Sequence, residues 1–258
     1  MPKKSLKAPR VDERTDRHGR AVSNRILLDL PESEYRVIRP ALEFLPAPRG
    51  KCLYEPNQAI EFVYFPNQGL ISLVIIMKDG KTAEVGVLGN EGFTGVPAMF
   101  GLLRSPICEV AQIAGDGFKI AIGAFGQSLR SSPSLRALLE RYAMVLGIQI
   151  SQTAACNRVH HIEPRLARWL LMAQDRVGAE HVDITHDFLA TMLGTDRSSV
   201  SVAAASLQRR EIIDYTRGAV RILNRTKLED SACECYDVIQ RYGAATELKE
   251  RQAASTRD

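Results

Sequence analysis

The chain has 258 residues, 45% of them hydrophobic and 25% charged, with a formal net charge of +4. That is the composition of a soluble globular protein of one large or two ordinary domains. No run is apolar and long enough to cross a bilayer, and the basic N-terminus lacks the apolar segment and cleavage site of a secretory signal, so a cytoplasmic protein without a membrane partner is expected. Five scattered cysteines, an odd number, argue against a disulfide framework. The charge is local. Residues 1–25 carry eight Lys/Arg and three Asp/Glu, which leaves the remainder near neutral, so the placement of single arginines says more about partners than the total does.

Residues 1–23 are polar and poor in large apolar side chains and read as a disordered basic tail, either solvated or an arm on DNA phosphates. Residues 24–132 read as a β-roll sensor domain that begins with two short helices, at Asn24-Arg25-Ile26 and at Pro31-Glu32-Ser33. Lys51–Tyr54, Phe62–Phe65, Leu70–Met77, Thr82–Leu88, Ile107–Ile113 and Phe118–Ile122 are rich in β-branched and aromatic residues and are separated by Gly, Pro and Asn turns, the pattern of an antiparallel barrel or roll.

From Ser132-Pro133 the period becomes helical. Leu139, Tyr142, Leu146, Ile150 and Thr153 recur at three or four residues, and a helix over 133–162 ends near Glu163-Pro164. These five residues are expected to form a parallel two-helix seam in a homodimer; the alternative is a long helix lying on its own roll.

Residues 163–228 read as a winged helix-turn-helix. Pro164 opens one helix, and Thr185 caps another whose apolar face is Leu189, Met192 and Leu193. Gly194 supplies the turn, and Asp196 caps a third helix with Val200, Ala203 and Leu207 inward. Ile212–Tyr215 and Val220–Leu223 pair across a turn with Arg217 at its tip. Arg197, first on the last helix, is placed to reach a guanine in the major groove, with Thr185, Ser198, Ser199, Ser201 and Arg217 around it on bases and phosphates. A plain two-helix corner is the competing reading of this stretch. Residues 229–258 read as a C-terminal helix holding Cys233 and Cys235.

A roll, a long helix and a winged helix in this order resemble the Crp/Fnr family of bacterial transcription regulators over roughly Leu27 to Leu228. Pro164–Leu171 and Thr185–Leu207 carry the resemblance most specifically, and Asp79-Gly80-Lys81 and Gly92-Phe93-Thr94-Gly95 more loosely. The chain also looks like a proteobacterial subgroup with A-A-C-N-R, R-L-A-R-W-L-L-M-A-Q-D and A-C-E-C-Y, here at 154–158, 165–175 and 232–236. The fold so implied is α+β: a cyclic-nucleotide-binding-like antiparallel β-roll, a long dimerisation helix and a C-terminal winged helix-turn-helix. The function implied is sequence-specific regulation of transcription, with a palindromic double-stranded operator and RNA polymerase as partners.

Two departures from the family are legible. Ser198 and Val202 stand where glutamate and arginine are usual, so the operator is expected to differ from Crp and Fnr half-sites while keeping a guanine for Arg197. Val96 and Pro106 stand where cyclic-AMP-binding members have a ribose-binding glutamate and a phosphate-binding arginine. An effector pocket around Glu91, Gly92, Gly95, Arg104 and Ser151 is therefore expected to take something other than cyclic AMP; the effector is not identified and no cofactor is expected.

No cysteine precedes Cys52, which argues against an Fnr-type iron–sulfur cluster. Cys233 and Cys235 could serve redox or metal sensing, but two thiolates do not complete a zinc site, and His160, His161 and Glu163 read as polar groups at a hinge; no metal site is expected. No nucleophile–base motif commits to catalysis, and the absence of histidine from residues 50–125 disfavours a metalloenzyme on a cupin-like roll, so the chain is not expected to be an enzyme. The remaining alternative is a ligand-binding module whose winged helix docks protein.

Overall fold

The computed structural model describes residues 14–179, 181–216 and 218–244. Among these, no helix is long and apolar enough to cross a membrane. Residues 14–22 form a tight turn, where an unstructured tail was expected up to residue 23. Arg14 donates to the Leu27 carbonyl at 2.6 Å and to that of Leu30, and the buried Asp16 carboxylate accepts from the His18 and Arg20 backbone N–H groups, both at 2.8 Å. An arginine capping otherwise unpaired helix carbonyls ties this turn down. The part of the tail over residues 1–13 lies outside the described residues.

Helices α1 (Arg25–Asp29) and α2 (Glu32–Ile38) lead through a 3₁₀ turn into a two-sheet roll. One sheet pairs β1 (Glu43–Ala47), β7 (Gly115–Ala121) and β3 (Phe62–Pro66) in that order; the other pairs β2 (Cys52–Tyr54), β6 (Cys108–Ile113), β4 (Leu70–Ile76) and β5 (Thr82–Leu88). All ladders are antiparallel. Strand β1 had no sequence signal because Pro46 lies inside it, and it sits where proline is tolerated, at a sheet edge. A short helix α3 (Val96–Met99) closes the loop after β5, and α4 (Ile122–Ser131) follows β7. Gly123 and Gly126 mask the helical signal of α4, whose Phe125 and Leu129 are buried one turn apart.

Helix α5 (Pro133–Val159) then crosses the roll. Here the structure corrects the expected seam. Leu139, Tyr142, Leu146 and Thr153 are buried within the single chain, and Ile150 is half-buried. Tyr142 packs its ring 5.4 Å from that of Phe93, an approach open only because Gly92 has no side chain: a Cβ there would fall 2.2 Å from the phenol. Gln149 donates to and accepts from the backbone of Val87, fixing the helix to β5. The apolar stripe covers the chain's own roll, and the face left outward runs through Ala137, Met144, Gly147, Ser151 and Ala154.

Helix α6 (Ile162–Val177) is buried continuously from Arg165 to Ala173. It leads to β8 (His181–Asp183), α7 (His186–Met192), α8 (Arg197–Arg209), β9 (Ile213–Thr216) and β10 (Ala219–Ile222), with a sheet order β8-β10-β9. The single C-terminal helix expected from the sequence is two, α9 (Arg225–Ser231) and α10 (Cys235–Ala244), and α10 packs on α5. Leu70 and Val87 of the roll belong to the same apolar core as α6, α7 and α8. The roll and the winged helix are therefore in contact, joined by two polar links as well. Trp169 Nε1 donates to Glu84 at 2.7 Å, and Arg176 pairs with Glu91 at 2.8 Å.

Candidate nucleic-acid interface

Helices α7 and α8 bury Leu189, Ala190, Met192 and Leu193 against Val200, Ala203, Ala204 and Leu207. Gly194 makes the turn at φ +58°, a left-handed backbone that glycine adopts at little cost. Thr185 caps α7 by accepting from Phe188 N–H at 3.3 Å. Asp196 caps α8 by accepting from Ser199 N–H at 2.8 Å. It also accepts from the Ser198 and Ser199 hydroxyls, and these hydrogen bonds hold its carboxyl below the usual carboxylate range.

With its core so fixed, α8 turns one face to solvent. Arg197 is 68% exposed, its guanidinium 3.5 Å from Asp187. Ser198, Val202, Ala205 and Arg209 continue the same face, with Val202 69% exposed. Ser199 and Ser201 are less available than expected. Ser199 is engaged with the cap, and Ser201 donates to the Arg197 carbonyl while its oxygen lies 2.9 Å from His186 Nδ1. His186 stacks on Tyr215 of β9 at 3.9 Å, so Ser201 joins α8 to the wing. Burial and the nearby Arg197 charge both lower the His186 pKa. Arg217, expected at the tip of the wing, lies outside the described residues. His186 had no sequence signal, because a histidine does not point to nucleic acid by itself.

The five residues expected to line an effector pocket are not brought together. Glu91 accepts from Gly89 N–H and pairs with Arg176. Gly92 faces Tyr142, and Gly95 donates its N–H to Glu109 at 3.3 Å. Arg104 is exposed and donates to the Asn57 carbonyl, and Ser151 is exposed on α5. What the roll holds instead is an apolar cavity of about 350 Å³ between β4, β5, β6 and α5, lined by Leu73, Val85, Val96, Ile107, Leu146 and Ile150 among others. Among the described residues its one ionisable lining group is Glu109. Burial raises that carboxyl to about 8, and its Oε2 has no partner.

A second cluster joins residues that the sequence offered only separately, Cys233 with Cys235 and His160, to Cys156, which it did not single out. Cys156, His160, Cys233 and Cys235 place their Sγ and imidazole nitrogen atoms within 4.8 Å of one another. Cys156 Sγ lies 3.5 Å from Cys233 Sγ, and Cys235 Sγ lies 3.5 Å from His160 Nδ1. The hydrogen bond between the first two lowers the Cys156 pKa and raises that of Cys233.

Residues 164–231 match the model of the Crp-like helix-turn-helix domain. Among curated proteins, none matches the chain by sequence. Solved structures do match it. A transcriptional regulator of the Crp/Fnr family from Eubacterium rectale ATCC 33656 is 16% identical, with a TM-score of 0.62 over 78% of this chain and 94% of its own. FixK2 from Bradyrhizobium japonicum is 13% identical, also with a TM-score of 0.62, over 74% of this chain and 98% of its own. The c-di-GMP-responsive global regulator CLP from Xanthomonas campestris is 14% identical, with a TM-score of 0.58 over 74% and 99%. Residues 164–231 are thus a Crp-like helix-turn-helix domain, and the chain that carries them has the fold of the Crp/Fnr transcription regulators.

Proposed function

We propose that the protein is a dimeric, sequence-specific DNA-binding regulator that acts in the cytoplasm on a palindromic operator, with RNA polymerase as its eventual partner. The observation that carries this reading is the exposed Arg197 at the first position of α8, on a face continued by the short side chains of Ser198, Val202 and Ala205 and closed by Arg209. An arginine so placed can donate two hydrogen bonds to a guanine, and the exposed methyl groups of Val202 suit a thymine methyl. The Asp187 carboxylate holds Arg197 in the free protein and gives way to the base. Two copies joined along the outward face of α5 would set two such helices about 34 Å apart, on one face of the duplex.

The effector we propose is a small, largely apolar molecule bearing one hydrogen-bond acceptor. Among the described residues the roll cavity has no cationic lining residue for a phosphate, and Glu109, protonated near neutral pH, is a donor whose Oε2 has no partner there. A signal read there reaches α5 through Leu146 and Ile150, which line the cavity from that helix. Because roll and winged helix share a core, a small shift of α5 changes where α8 points. Selection from random DNA tests the reading. It should return a two-fold symmetric site with a guanine in each half, bound with steep salt dependence and lost in Arg197→Ala. Recovery of an unaltered Crp or Fnr consensus would refute the proposed specificity. Calorimetry should show no micromolar binding of cyclic AMP.

A further inference from the structure

Helix α5 ends one turn after Cys156, and His160 is its C-terminal cap, donating its N–H to the Cys156 carbonyl at 3.0 Å. Positions four apart on a helix share a face, so both side chains point the same way. Across from them the chain breaks between α9 and α10. Cys233 precedes α10 and Cys235 opens it, so the two cysteines escape the divergence that a continuous helix would impose. Two separate segments, 77 residues apart in sequence, thus deliver three thiols and an imidazole to one point.

From these positions we infer that Cys156, His160, Cys233 and Cys235 form a structural zinc site of the Cys₃His type. In a tetrahedral zinc site, sulfurs about 2.3 Å from the metal lie roughly 3.7 Å apart. The 3.5 Å between Cys156 Sγ and Cys233 Sγ is close to that and far from the ~2.05 Å of a disulfide, and the 3.5 Å between Cys235 Sγ and His160 Nδ1 suits a sulfur and a nitrogen on one ion. Ligand atoms this close hold one ion, not a multi-iron cluster. The surrounding shell suits a metal centre too. His160 Nε2 lies 3.2 Å from a Glu234 carboxylate oxygen, the kind of second partner that orients a ligating imidazole, and Gln152 Nε2 donates to Cys235 Sγ at 3.1 Å.

A separate observation concerns charge. Arg165 and Arg168 on α6 are 8% and 3% exposed, and among the described residues neither is in salt-bridge contact with a carboxylate, although Glu84 lies near enough to feel the Arg168 charge. Each leaves its Nε without an acceptor, and both act electrostatically on Cys156. Three thiolates and one dication carry a net single negative charge, which partly offsets two buried cations. Loading breaks three S–H bonds, forms three Zn–S bonds and releases the protons to solvent.

The site clamps the start of α10 to the junction of α5 and α6, where the winged helix departs from the long helix. It does not depend on the DNA-reading proposal. Full-length protein incubated with zinc and desalted should carry one zinc per chain. Cys156→Ser and Cys235→Ser should each reduce this at least tenfold, while Cys52→Ser leaves it unchanged. Cobalt in place of zinc should give the visible ligand-field bands of a tetrahedral thiolate site. Should the serine variants fail to fold, the wild-type protein still decides: zinc should protect three of the five thiols from alkylation, and a chelator should expose them. Equal alkylation with and without zinc, or a Cys156–Cys233 disulfide in the purified protein, would overturn the inference. DNA binding through Arg197 would stand either way.

Discussion

Helix α8 buries Val200, Ala203, Ala204 and Leu207 and turns Arg197, Ser198 and Val202 outward. Helix α5 buries Leu139, Tyr142, Leu146 and Thr153 and turns Ala137, Met144, Gly147 and Ser151 outward. In both, helical periodicity identifies the buried face correctly. It does not identify what covers that face. For α8 the cover is α6 and α7, close in sequence, and the turn chemistry of Gly194 and Asp196 fixes the arrangement locally. For α5 the cover is a roll and a helix from either end of the chain, so the same pattern was open to being read as a partner seam.

The comparison breaks most sharply at Leu139. If this residue lies in the core of its own chain, Leu139→Ala should destabilise the fold by ~2–5 kcal/mol, measured by denaturant unfolding at several protein concentrations. If it belonged to a subunit seam, the loss would grow on dilution. A concentration-dependent loss therefore contradicts the buried face assigned to α5.

Between the two helices lies α6, where polar atoms meet the roll. Glu84 is fully buried, accepts from Trp169 Nε1 at 2.7 Å and from the Ser72 hydroxyl at 2.5 Å, and is raised to about 7, chiefly by burial. A carboxyl raised in the fold contributes stability that is complete below its ordinary value of 4.5, declines between 4.5 and about 7, and is gone above. The contribution is on the order of 3 kcal/mol at most. Glu84→Gln can still accept from Trp169 Nε1 and can donate its amide N–H to the Ser72 hydroxyl oxygen, and it cannot ionise. Its stability should fall less than that of the wild type between pH 4.5 and 7. Parallel pH curves would show that Glu84 is not protonated at the junction.

Arg197→Ala tests the outward face of α8. It should weaken specific binding by ~1–3 kcal/mol, relax the preference for guanine at one position of each half-site, and leave the melting temperature unchanged. A loss of stability instead would mean that the Asp187 pair matters to the fold.

The winged helix was legible because its signals are local: Thr185, Gly194 and Asp196 each set backbone within a few residues of themselves. What stayed hidden depends on distance or on masking. Pro46 concealed an edge strand, and two glycines concealed α4. The cysteine–histidine cluster was unreadable because Cys233 and Cys235 look like half a site until the chain brings Cys156 and His160 to them. The cavity was not legible because it is lined by ordinary strand residues, while Gly92 serves packing against Tyr142 and Gly95 donates to the Glu109 carboxyl.

The smallest effect on stability belongs to the outward face of α5, where the dimer proposal rests. Met144 is 68% exposed, so Met144→Glu should change monomer stability by less than about 0.5 kcal/mol. Its effect on association should be large. In the proposed dimer a glutamate at that position would meet its own copy across a two-fold axis, and two like charges brought together lose solvation and repel. Sedimentation should therefore show a folded monomer, with DNA affinity falling as one helix is left to read one half-site. Ile150→Glu offers the converse, since Ile150 lines the roll cavity and should fail first in folding. A variant Met144→Glu that remains dimeric would place the subunit contact elsewhere than on this face, even though the buried face of α5 is unchanged.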